Sequence, residues 1–332
     1  MSKKITTHIF EQFTKLNVVI VGDVMIDRYL HGKVNRISPE APVPVVELQS
    51  TEDRLGGAAN VALNIKAMGA TPYLFSAIGS DTEGGDFLRL MNENDLSTHG
   101  LLQIEERPTT VKTRIMAGTQ QMLRLDREVT TDLVESDRAV FIQRLRMFLA
   151  QTKVDVLIFQ DYDKGVLSAS TIHQIMAETR QRKIPTAVDP KKNNFLAYQL
   201  VDLFKPNLKE IRDAVDFEVK PELQSLDNAA GFLHSRLGNR FTMITLSEKG
   251  LYLGSDTEGG YIYPTQPRRI SDVSGAGDTV ISVASLCLAA QTDNRTLAIL
   301  SNLAGSQVCE IAGVVPVDRE QLQKEFLTLQ II

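Results

Sequence analysis

The sequence predicts an α/β fold, in which a doubly wound and mostly parallel sheet is flanked by helices and carries a small additional β-sheet. Short apolar runs that end in polar turns recur along the chain, and such runs are typical of buried parallel strands. Stretches with helical periodicity lie between these runs, and this alternation indicates βαβ units. Two segments break the alternation, and they predict the small sheet.

The elements follow from the apolar patterns in chain order. The first apolar run is Val-Val-Ile-Val at 18–21, and the others lie at 73–75, 154–159, 186–188 and 241–246. The helical patterns between them lie at 58–68, 82–94, 132–150, 169–182 and 221–237. Two consecutive helices with almost unbroken apolar faces, at 275–290 and 295–313, are expected in the centre of the core.

The two interrupting segments span about 28–52 and 107–127. The first contains Pro39, Pro42 and Pro44, so it is not helical throughout, and its prolines belong at a sheet edge. The second alternates polar and apolar residues on both sides of a turn, which is typical of a hairpin with one polar face. We interpret both segments as a small sheet that forms a lid on the main domain. Two long surface loops are the alternative.

The composition excludes several classes of protein. The 332 residues include 36 Lys and Arg against 41 Asp and Glu, so the formal net charge is −5 and no positive field attracts nucleic acid. The longest apolar stretch, near 280–290, is too short to span a bilayer, and the N-terminus lacks the apolar segment of a secretory signal. Cys287 and Cys309 are interpreted as small buried hydrophobes. We therefore expect a cytoplasmic protein without nucleic-acid or membrane partners.

The strongest motif is Asp-Val-Ser-Gly-Ala-Gly-Asp-Thr at 272–279, directly before an apolar helix. Its glycines let the backbone approach a ligand, and the free N–H groups of Gly275, Ala276 and Gly277 predict an anion site. Asp278 falls in the first helical turn, where the helix dipole favours its ionised form. The pattern indicates phosphoryl transfer, with Asp278 as the base for an acceptor hydroxyl. The alternative is a capping aspartate after a glycine turn.

Other phosphate and metal motifs are missing from the sequence. It has no G-x-x-x-x-G-K-[ST] loop, and the motif at 272–279 lacks the third glycine of the dinucleotide fingerprint. The five histidines are scattered, and no His/Cys cluster has metal-ligand spacing. Phosphoryl transfer without a P-loop is therefore the favoured chemistry.

A second glycine motif, Gly56-Gly57-Ala-Ala-Asn60, leads into a predicted helix. Small residues permit a close approach, and the amide of Asn60 both donates and accepts hydrogen bonds, which suits a polyol ligand. Asp23 and Asp27 follow the first strand, where open α/β sheets bind ligands. A plain helix start and turn or cap aspartates are the alternatives.

Three further polar segments follow other strands. Asn207 and Glu210 can organise Mg²⁺ through water, since this ion usually keeps part of its hydration shell. A polar turn suited to a nucleotide follows the 241–246 strand, and a lysine lies near the same sheet edge. Their shared position after strand ends predicts one cleft. The residues assigned to the nucleotide here are Lys191, Thr245, Ser247 and Gly250.

Together these motifs resemble the ribokinase-like (PfkB) family of carbohydrate kinases, over essentially the whole chain. The segment 56–60 looks like the family's first signature, and 272–278 looks like its second, which carries the catalytic aspartate and the anion hole. Asn207-x-x-Glu210 looks like its magnesium motif. The resemblance implies a sugar and ATP as substrates, with Mg²⁺ and a monovalent cation as cofactors. It also implies a nucleotide contact from Asn302.

The family resemblance further implies a homodimer that pairs through the lid. The sequence contains an apolar lid face for this contact. We expect that face to be exposed in an isolated subunit and covered in the dimer. Its residues are Val111, Thr113 and Ile115.

Within the family, the sequence is most similar to kinases of D-glycero-β-D-manno-heptose 7-phosphate. The similar segments lie at 22–29, 36–44, 112–114, 121–127 and 161–167, and the proline-rich 36–44 is the most specific. This resemblance implies ATP-dependent phosphorylation of the anomeric hydroxyl, giving heptose 1,7-bisphosphate for ADP-heptose and lipopolysaccharide synthesis. Another PfkB kinase, acting on fructose, ribose or a hexose phosphate, and a non-catalytic sugar-binding regulator are the alternatives.

The sequence departs from the family in three respects. Val273-Ser274 stands where many members have two threonines, and Ser247 stands where many have glycine. Neither change removes a charged catalytic group. Many relatives also carry a cytidylyltransferase domain with a His-x-Gly-His motif, which this sequence lacks, so we expect a single kinase domain over 1–332.

Lys112, Arg114 and Arg124 are predicted to hold the phosphate of the sugar. Lys112 and Arg114 are two residues apart in an alternating strand, so they project to the same side, and Arg124 lies on the return strand. A phosphorylated sugar needs cations over the cleft, and arginine can grip phosphate with two hydrogen bonds. The alternative is a solvated lid face with Arg124 paired to Asp126.

Overall fold

The computed structural model of the chain describes residues 3–257, 259–266 and 268–329. Its strands are β1 Asn17–Gly22, β2 Val24–Ile37, β3 Pro44–Gly57, β4 Thr71–Gly79, β5 Leu101–Ile104, β6 Val111–Ala117, β7 Gln120–Arg127, β8 Val156–Gln160, β9 Thr186–Asp189, β10 Leu203–Phe204, β11 Phe241–Thr245, β12 Leu251–Ser255 and β13 Tyr261–Tyr263. Its α-helices are α1 Lys3–Phe13, α2 Ala58–Ala67, α3 Thr82–Glu93, α4 Glu135–Gln151, α5 Ala169–Arg182, α6 Leu208–Ala214, α7 Leu223–Leu237, α8 Ala276–Ala289, α9 Asn294–Val308 and α10 Arg319–Leu329.

The main sheet has nine strands in the order β13-β12-β11-β10-β9-β8-β1-β4-β5. The strands from β11 to β5 pair in parallel, and β12 and β13 extend the sheet antiparallel. β1 is an interior strand between β8 and β4 and is buried on both faces, which explains its unbroken apolar run. Val18 and Ile20 face one core, whereas Val19 and Val21 face the other. The predicted doubly wound, mostly parallel sheet is confirmed.

Helices cover both faces of this sheet. The layer on one face contains α1, α2, α3, α8, α9 and α10, and the layer on the other contains α4, α5, α6 and α7. Every residue of α8 from Asp278 to Leu288 is buried, as the apolar run predicts. α9 ends at Val308 rather than at 313, because the chain leaves the helix there to bond another loop. The N–H groups of Ser271 and Asp272 donate to the Cys309 carbonyl at 2.8 and 3.2 Å.

The two interrupting segments form a separate sheet of four strands in the order β3-β2-β6-β7, which we call the small sheet. β2 and β3 form one antiparallel hairpin, β6 and β7 form another, and β2 runs parallel to β6. The second hairpin turns at Gly118, whose φ of 60° glycine adopts without steric cost. β2 starts directly after Asp23 and β3 ends at Gly57, so the base of the small sheet adjoins the carboxyl end of β1.

Ion pairs connect the small sheet to α3. Arg28 of β2 lies 3.4 Å from the carboxylate of Asp86. Arg127 of β7 lies 2.6 Å from Glu83 and 3.2 Å from Asp81, the residue that caps α3. These contacts fix the orientation of both outer hairpins relative to the main sheet. No helix within the described ranges combines the length and the apolar composition that a membrane span requires.

Candidate active site

Polar side chains gather where the parallel strands of the main sheet end. Asp23 follows β1, Gln160 ends β8, Asp189 ends β9 and Lys205 follows β10, and all four are buried. α8 begins at the same edge, with Asp278 in its first turn. This edge is where open α/β sheets bind ligands, and it forms the candidate site.

Asp278 lies at the centre of the cluster and is only 4% exposed. Its Oδ2 accepts a hydrogen bond from Asn60 Nδ2 at 2.8 Å. Its Oδ1 accepts hydrogen bonds from Gln160 Nε2 at 3.0 Å and from the Tyr162 hydroxyl at 2.6 Å. α2, β8 and the loop after β8 therefore hold the carboxylate in one orientation.

Burial controls the charge state of this carboxylate. It raises the pKa of Asp278 to about 6, against the lowering effect of the hydrogen bonds from Tyr162 and Asn60. The sequence predicted that the helix start would favour the ionised form, and the cost of burial acts in the opposite direction. A carboxylate with this pKa is ionised at neutral pH and can still accept a proton from a reacting group.

The glycine loop before α8 lies close to neighbouring side chains, and its predicted approach to a ligand stays a prediction. Gly275 precedes the helix with a φ of 80°, and a Cβ built on it would lie 2.9 Å from Asn60 Nδ2. A Cβ on Gly277 would lie 3.6 Å from Lys205 Nζ and 3.7 Å from Asp189 Oδ2. The first turn of α8 thus starts beside a buried lysine, where an anion is favoured, although the Ala276 N–H donates to the Val273 carbonyl at 3.3 Å.

The first glycine motif also has a geometric reason. A Cβ on Gly56 would lie 2.2 Å from Asp27 Oδ2, and one on Gly57 would lie 2.5 Å from the Asp23 carbonyl. Gly57 has a φ of 62° and precedes α2, which carries Asn60 fully buried toward Asp278. The motif therefore lets β3 and α2 pack against the start of β2.

The two aspartates that follow β1 have different partners. Asp23 accepts hydrogen bonds from the backbone N–H groups of Tyr162, Lys164 and Val166 at 2.9 to 3.1 Å, so it orders the loop after β8. Asp27 forms an ion pair with Arg114 at 2.6 Å. Sugar contacts from both aspartates stay predictions, and Asp27 is the one that faces a cation of the small sheet.

Asn207 and Glu210 form a capping box at the start of α6. The side chain of Asn207 accepts from the Glu210 N–H at 2.9 Å, and Glu210 Oε2 accepts from the Asn207 N–H at 2.8 Å. The other oxygen, Oε1, pairs with Lys191 Nζ. Burial alone would lower the pKa of Lys191, but the Asp189 and Glu210 carboxylates outweigh it and hold that pKa above its usual value.

The capping box decides how a divalent metal fits here. In the described parts of the chain, no group of three or more His, Cys, Asp or Glu side chains could hold a metal ion directly. Both oxygens of Glu210 already accept hydrogen bonds. The residues therefore fit Mg²⁺ that arrives with nucleotide phosphates and contacts the protein through its waters, and they do not form a closed metal cage.

Two lysines lie against the ring of Tyr162. Lys112 Nζ of β6 is 5.6 Å from the ring centroid, and Lys191 Nζ, beyond the end of β9, is 5.5 Å from it. Burial lowers the pKa of Lys112, which forms no ion pair with any described side chain closer than 4.0 Å. Lys112 is thus a cation above the Asp278 end of the cleft without a bonded counter-ion.

The two arginines of the predicted phosphate clamp are paired. Arg114 bonds Asp27, whereas Arg124 is 52% exposed and bonds both oxygens of Asp126 at 2.9 and 3.0 Å. This pairing of Arg124 is the alternative that the sequence left open. Arg114 and Arg124 lie directly opposite each other on β6 and β7, so both belong to the face that carries Lys112.

Four of the nucleotide residues predicted from the sequence, Asn207, Thr245, Ser247 and Gly250, lie at or just beyond the end of β11. Asn207 and Thr245 form a bridge between their strands, and the turn that holds Ser247 ends at Gly250, packed on the Tyr263 carbonyl. That carbonyl accepts from Asn302 Nδ2 at 3.1 Å. Beside it lies a cavity of about 560 Å³, with aromatic, aliphatic and amide lining. Its lining includes Tyr263, Pro264, Ile299, Asn302, Leu303 and Ser306.

Sequence reasoning did not assign roles to Gln160, Tyr162, Asp189 or Lys205. Lys205 Nζ lies 3.0 Å from Asp189 Oδ2, and both side chains are buried. The available signal was their position, since each polar residue ends or follows an apolar strand. Only the order of the strands shows that they surround Asp278.

A comparison with known sequences and structures decides the family. The model of the family described as "pfkB family carbohydrate kinase" matches residues 15–319 of the chain. The chain belongs to the pfkB family of carbohydrate kinases. It is therefore an ATP-dependent carbohydrate kinase, and the cluster around Asp278 lies where the family's second signature was recognised in the sequence. As a pfkB kinase it uses ATP together with a divalent metal.

Relatives of this pfkB kinase carry a common name. The chain is 37% identical over 317 residues to the "Bifunctional protein HldE" of Magnetococcus marinus, covering 95% of this chain and 65% of the relative. It is 38% identical to the protein of the same name from Desulfatibacillum aliphaticivorans, covering 94% of this chain and 63% of the relative. The chain thus spans less than two thirds of the length of these relatives.

Solved structures share the fold of this pfkB kinase. Phosphofructokinase-2 from Escherichia coli, in complex with fructose-6-phosphate, matches with a TM-score of 0.77 at 17% identity, over 95% of this chain and 99% of that one. The same enzyme has been solved in complex with potassium. Ribokinase from Arabidopsis thaliana, complexed with ribose and ATP, matches with a TM-score of 0.73 at 15% identity, over 93% of this chain and 99% of that one.

Proposed function

We propose that this pfkB kinase transfers the γ-phosphoryl group of ATP to the anomeric hydroxyl of D-glycero-β-D-manno-heptose 7-phosphate. The observation that carries the phosphoryl-transfer step is Asp278, buried in the first turn of α8 and bonded to Asn60 and Gln160. The choice of heptose phosphate rests on the segments that resemble heptose kinases and on relatives named HldE. The product would be heptose 1,7-bisphosphate, for synthesis of ADP-heptose and lipopolysaccharide.

The chemistry follows from the position of Asp278. Its carboxylate takes the proton of the acceptor hydroxyl, whose oxygen then forms a bond to the γ-phosphorus while the bond from that phosphorus to the ADP oxygen breaks. The backbone N–H groups of Gly275, Ala276 and Gly277 stabilise the charge that builds on the phosphoryl oxygens, and Lys205 lies beside Gly277. Mg²⁺ bound with the nucleotide would neutralise part of the phosphate charge. A monovalent cation stays a further predicted cofactor.

We assign the nucleotide to the region between the start of α8 and the cavity beside α9. Gly305 of α9 packs against Ala276 and Val280 of α8, and Asn302 and Ser306, which line the cavity, lie within one turn of Gly305 on α9. The apolar and aromatic lining of the cavity suits a purine base, and Asn302 supplies an amide there. Lys191, Asn207, Thr245, Ser247 and Gly250 are assigned to the nucleotide from their sequence motifs.

We assign the phosphate of the sugar to the face of the small sheet that carries Lys112. Lys112 has no bonded carboxylate among the described residues, whereas Arg114 and Arg124 would exchange Asp27 and Asp126 for phosphate oxygens. Released from Arg114, Asp27 would become an acceptor for a sugar hydroxyl. Asp23, Gly56, Gly57 and Asn60 complete the proposed sugar site.

We propose a homodimer through the outer face of the small sheet. The sequence predicted that Val111 would belong to this face. That prediction is wrong, because Val111 is only 4% exposed. The exposed apolar residues of β7 are Leu123 and Leu125, each 52% exposed, and they lie opposite Ile115 and Thr113 on β6. A second copy of the chain would cover these side chains and remove their apolar surface from water.

A substrate panel tests the proposed function. ATP-dependent phosphorylation would be measured with heptose 7-phosphate, fructose 6-phosphate and ribose at matched concentrations. We expect kcat/KM for heptose 7-phosphate to exceed that for ribose by at least about a hundredfold, because ribose has no distal phosphate for the cations of the small sheet to bind. We also expect it to exceed that for fructose 6-phosphate, which carries a phosphate but not the heptose. Preference for another sugar would assign a different pfkB activity, and no turnover with any sugar, together with sugar binding, would favour the sugar-binding regulator.

A further inference from the structure

Tyr162 contacts the proposed base but belongs to none of the motifs that identify the site. It lies two residues beyond the end of β8, and its hydroxyl donates to Asp278 Oδ1 at 2.6 Å. Burial, followed by the nearby carboxylates of Asp278 and Asp189, raises the pKa of this phenol well above its usual value. The hydroxyl is therefore protonated at neutral pH, where it donates to Asp278.

The hydrogen bonds of Asp278 leave room for one more donor. An ionised carboxylate offers about four lone-pair positions. Oδ1 accepts from Tyr162 and from Gln160, and Oδ2 accepts from Asn60. Among the described side chains these fill three of the four positions, and the fourth is on Oδ2. An acceptor hydroxyl can therefore bond Oδ2 while the Tyr162 bond to Oδ1 stays in place.

We propose that Tyr162 is a positioning residue for the phosphoryl transfer, whose hydroxyl holds the Asp278 carboxylate so that Oδ2 takes the proton of the acceptor hydroxyl. The inference rests on the proposed role of Asp278 as the base. Tyr162 acts through Asp278 and exchanges no proton with the substrate.

The phenol is itself held in place from several directions. Its backbone N–H donates to Asp23 Oδ2 at 2.9 Å, which fixes the loop. The ammonium groups of Lys112 and Lys191 lie 5.6 and 5.5 Å from its ring centroid. Lys112 comes from the small sheet and Lys191 from the main sheet, so the ring is fixed between both parts of the protein. A donor fixed in this way can orient a carboxylate without reorganisation during the reaction.

The charged groups around Asp278 determine how the loss of the phenol hydroxyl would be detected. Asp189, at the end of β9, raises the pKa of Asp278, and Lys205, beyond β10, lowers it. Lys191 also carries a positive charge near this carboxylate. The hydrogen bond from Tyr162 lowers the same pKa because it stabilises the ionised form. Removing the hydroxyl alone therefore raises the pKa of Asp278 above about 6.

Tyr162→Phe in the full chain tests the proposal, because phenylalanine keeps the ring for both lysines and removes only the hydroxyl. We expect the acidic limb of the pH dependence of kcat to move to higher pH by roughly one to two units, the value of a hydrogen bond to a charged group. On the high-pH plateau, kcat falls about tenfold because the carboxylate is no longer held. KM for ATP and for the sugar changes by less than about threefold.

Tyr252→Phe is the matched control. The Tyr252 hydroxyl donates to Asp227 Oδ1 at 2.8 Å, so this variant also removes a bond between a buried tyrosine and an aspartate, on β12 and away from Asp278. Its pH profile should match that of the unmodified chain. A similar shift in both variants would mean that general loosening of the fold causes it, and this would overturn the positioning role.

Other outcomes also decide the matter. If the acidic limb of the pH dependence of kcat does not move in Tyr162→Phe, with or without higher KM values, the tyrosine has a purely structural role and the proposal is wrong. A higher kcat/KM for the sugar would mean that the phenol occupies the place of the acceptor hydroxyl, and the proposal would be wrong. Near-normal kcat in Asp278→Asn would instead remove the base itself, which distinguishes failure of the proposed function from failure of this inference.

Discussion

Gly275 and Asn60 are in contact although 215 residues separate them. The glycine before α8 packs so closely on the Asn60 amide that no side chain would fit at position 275. A Cβ on Gly275 would lie 2.9 Å from Asn60 Nδ2, the atom that donates to Asp278. The backbone φ of 80° at this position also disfavours any other residue. The second signature motif is therefore packed on the first.

Gly275→Ala should impair catalysis more than stability. Displacing the Asn60 amide removes one bond of Asp278, and the strained backbone costs about 1–2 kcal/mol. We expect kcat to fall by about tenfold or more, measured in a coupled ADP assay, with Tm lowered by a few degrees.

Gly231→Ala is the control for that change. Gly231 lies within α7, and a Cβ built on it meets no atom within 4 Å. This variant should be fully active and more stable by about 0.5–1 kcal/mol, since alanine is the better helix former. Equal kcat in both variants would contradict the contact described for Gly275.

Asp278→Asn should nearly abolish turnover while leaving the site occupied. Asparagine keeps the shape of the side chain and loses the proton acceptor, and loss of a general base typically costs about 10²–10⁴ in rate. Binding of ATP and of the sugar phosphate, measured by calorimetry, should change by less than about threefold. Loss of both binding and activity would instead indicate a collapsed site.

The pH dependence of the reaction should follow the Asp278 carboxylate. Burial raises its pKa to about 6, so kcat is constant above that pH and falls tenfold per unit as the pH drops below it. Burial raises the pKa of Asp161 to about 6 as well. Because both pKa values are raised in the folded state, protonation between about pH 6 and pH 4 stabilises the fold.

Because protonation of these two carboxyl groups stabilises the fold, loss of activity through protonation of Asp278 can be distinguished from loss of activity through acid unfolding. The folded chain binds protons at Asp161 and Asp278 more tightly than the unfolded chain, so these two groups do not destabilise it as the acidic limb is crossed. Circular dichroism at pH 5 should therefore show a folded protein, and activity should return on raising the pH. Irreversible loss of activity at pH 5 would contradict the assignment of the acidic limb to the Asp278 carboxylate.

Lys112→Ala should raise KM for a phosphorylated sugar by roughly tenfold or more, because a hydrogen bond to a charged group contributes ~1.5–3 kcal/mol. KM for ATP should change little. Lys33→Ala is a matched control, since Lys33 is an exposed lysine of β2, paired with Glu47 of β3 toward the far end of the same small sheet. A similar rise for both substrates would show that the small sheet has lost its structure.

Leu123→Lys together with Leu125→Lys should convert the proposed dimer to a monomer, because two charges would enter the apolar face of β7. Light scattering measures the mass directly. Val134→Lys replaces an exposed apolar residue outside the small sheet, 62% exposed against 52% for each leucine, and should leave the mass unchanged. An unmodified chain that is monomeric at micromolar concentration would overturn the proposal.

Local pattern was sufficient to predict the fold but only part of the site. Consecutive apolar residues are enough to predict that an element is buried, as in β1, β8 and α8. β10 has two residues, too few to show a period, and it was missed. Asp278 was found because a glycine loop and a helix start surround it in the sequence.

The contacts of that carboxylate could not be predicted in the same way. Gln160 and Tyr162 bond Asp278 because β8 lies beside β9 under α8, and strand order is not visible in any single segment. The pairing of Arg114 with Asp27 likewise depends on β2 running parallel to β6. Alternation predicted which side Arg114 faces, and the partner on that side came from another strand.

The buried helix α8 has a consequence for synthesis of the chain. The last strand in the described residues, β13, ends at Tyr263, and α8 begins only at Ala276. A nascent chain therefore carries a complete set of sheet strands while one apolar face still lacks its central helix, a state prone to aggregation. The helix that covers this face also brings Asp278. A chain truncated before Ala276 would consequently lose its solubility and its base in the same step, so such fragments should be recovered as insoluble material and not as folded, inactive kinase.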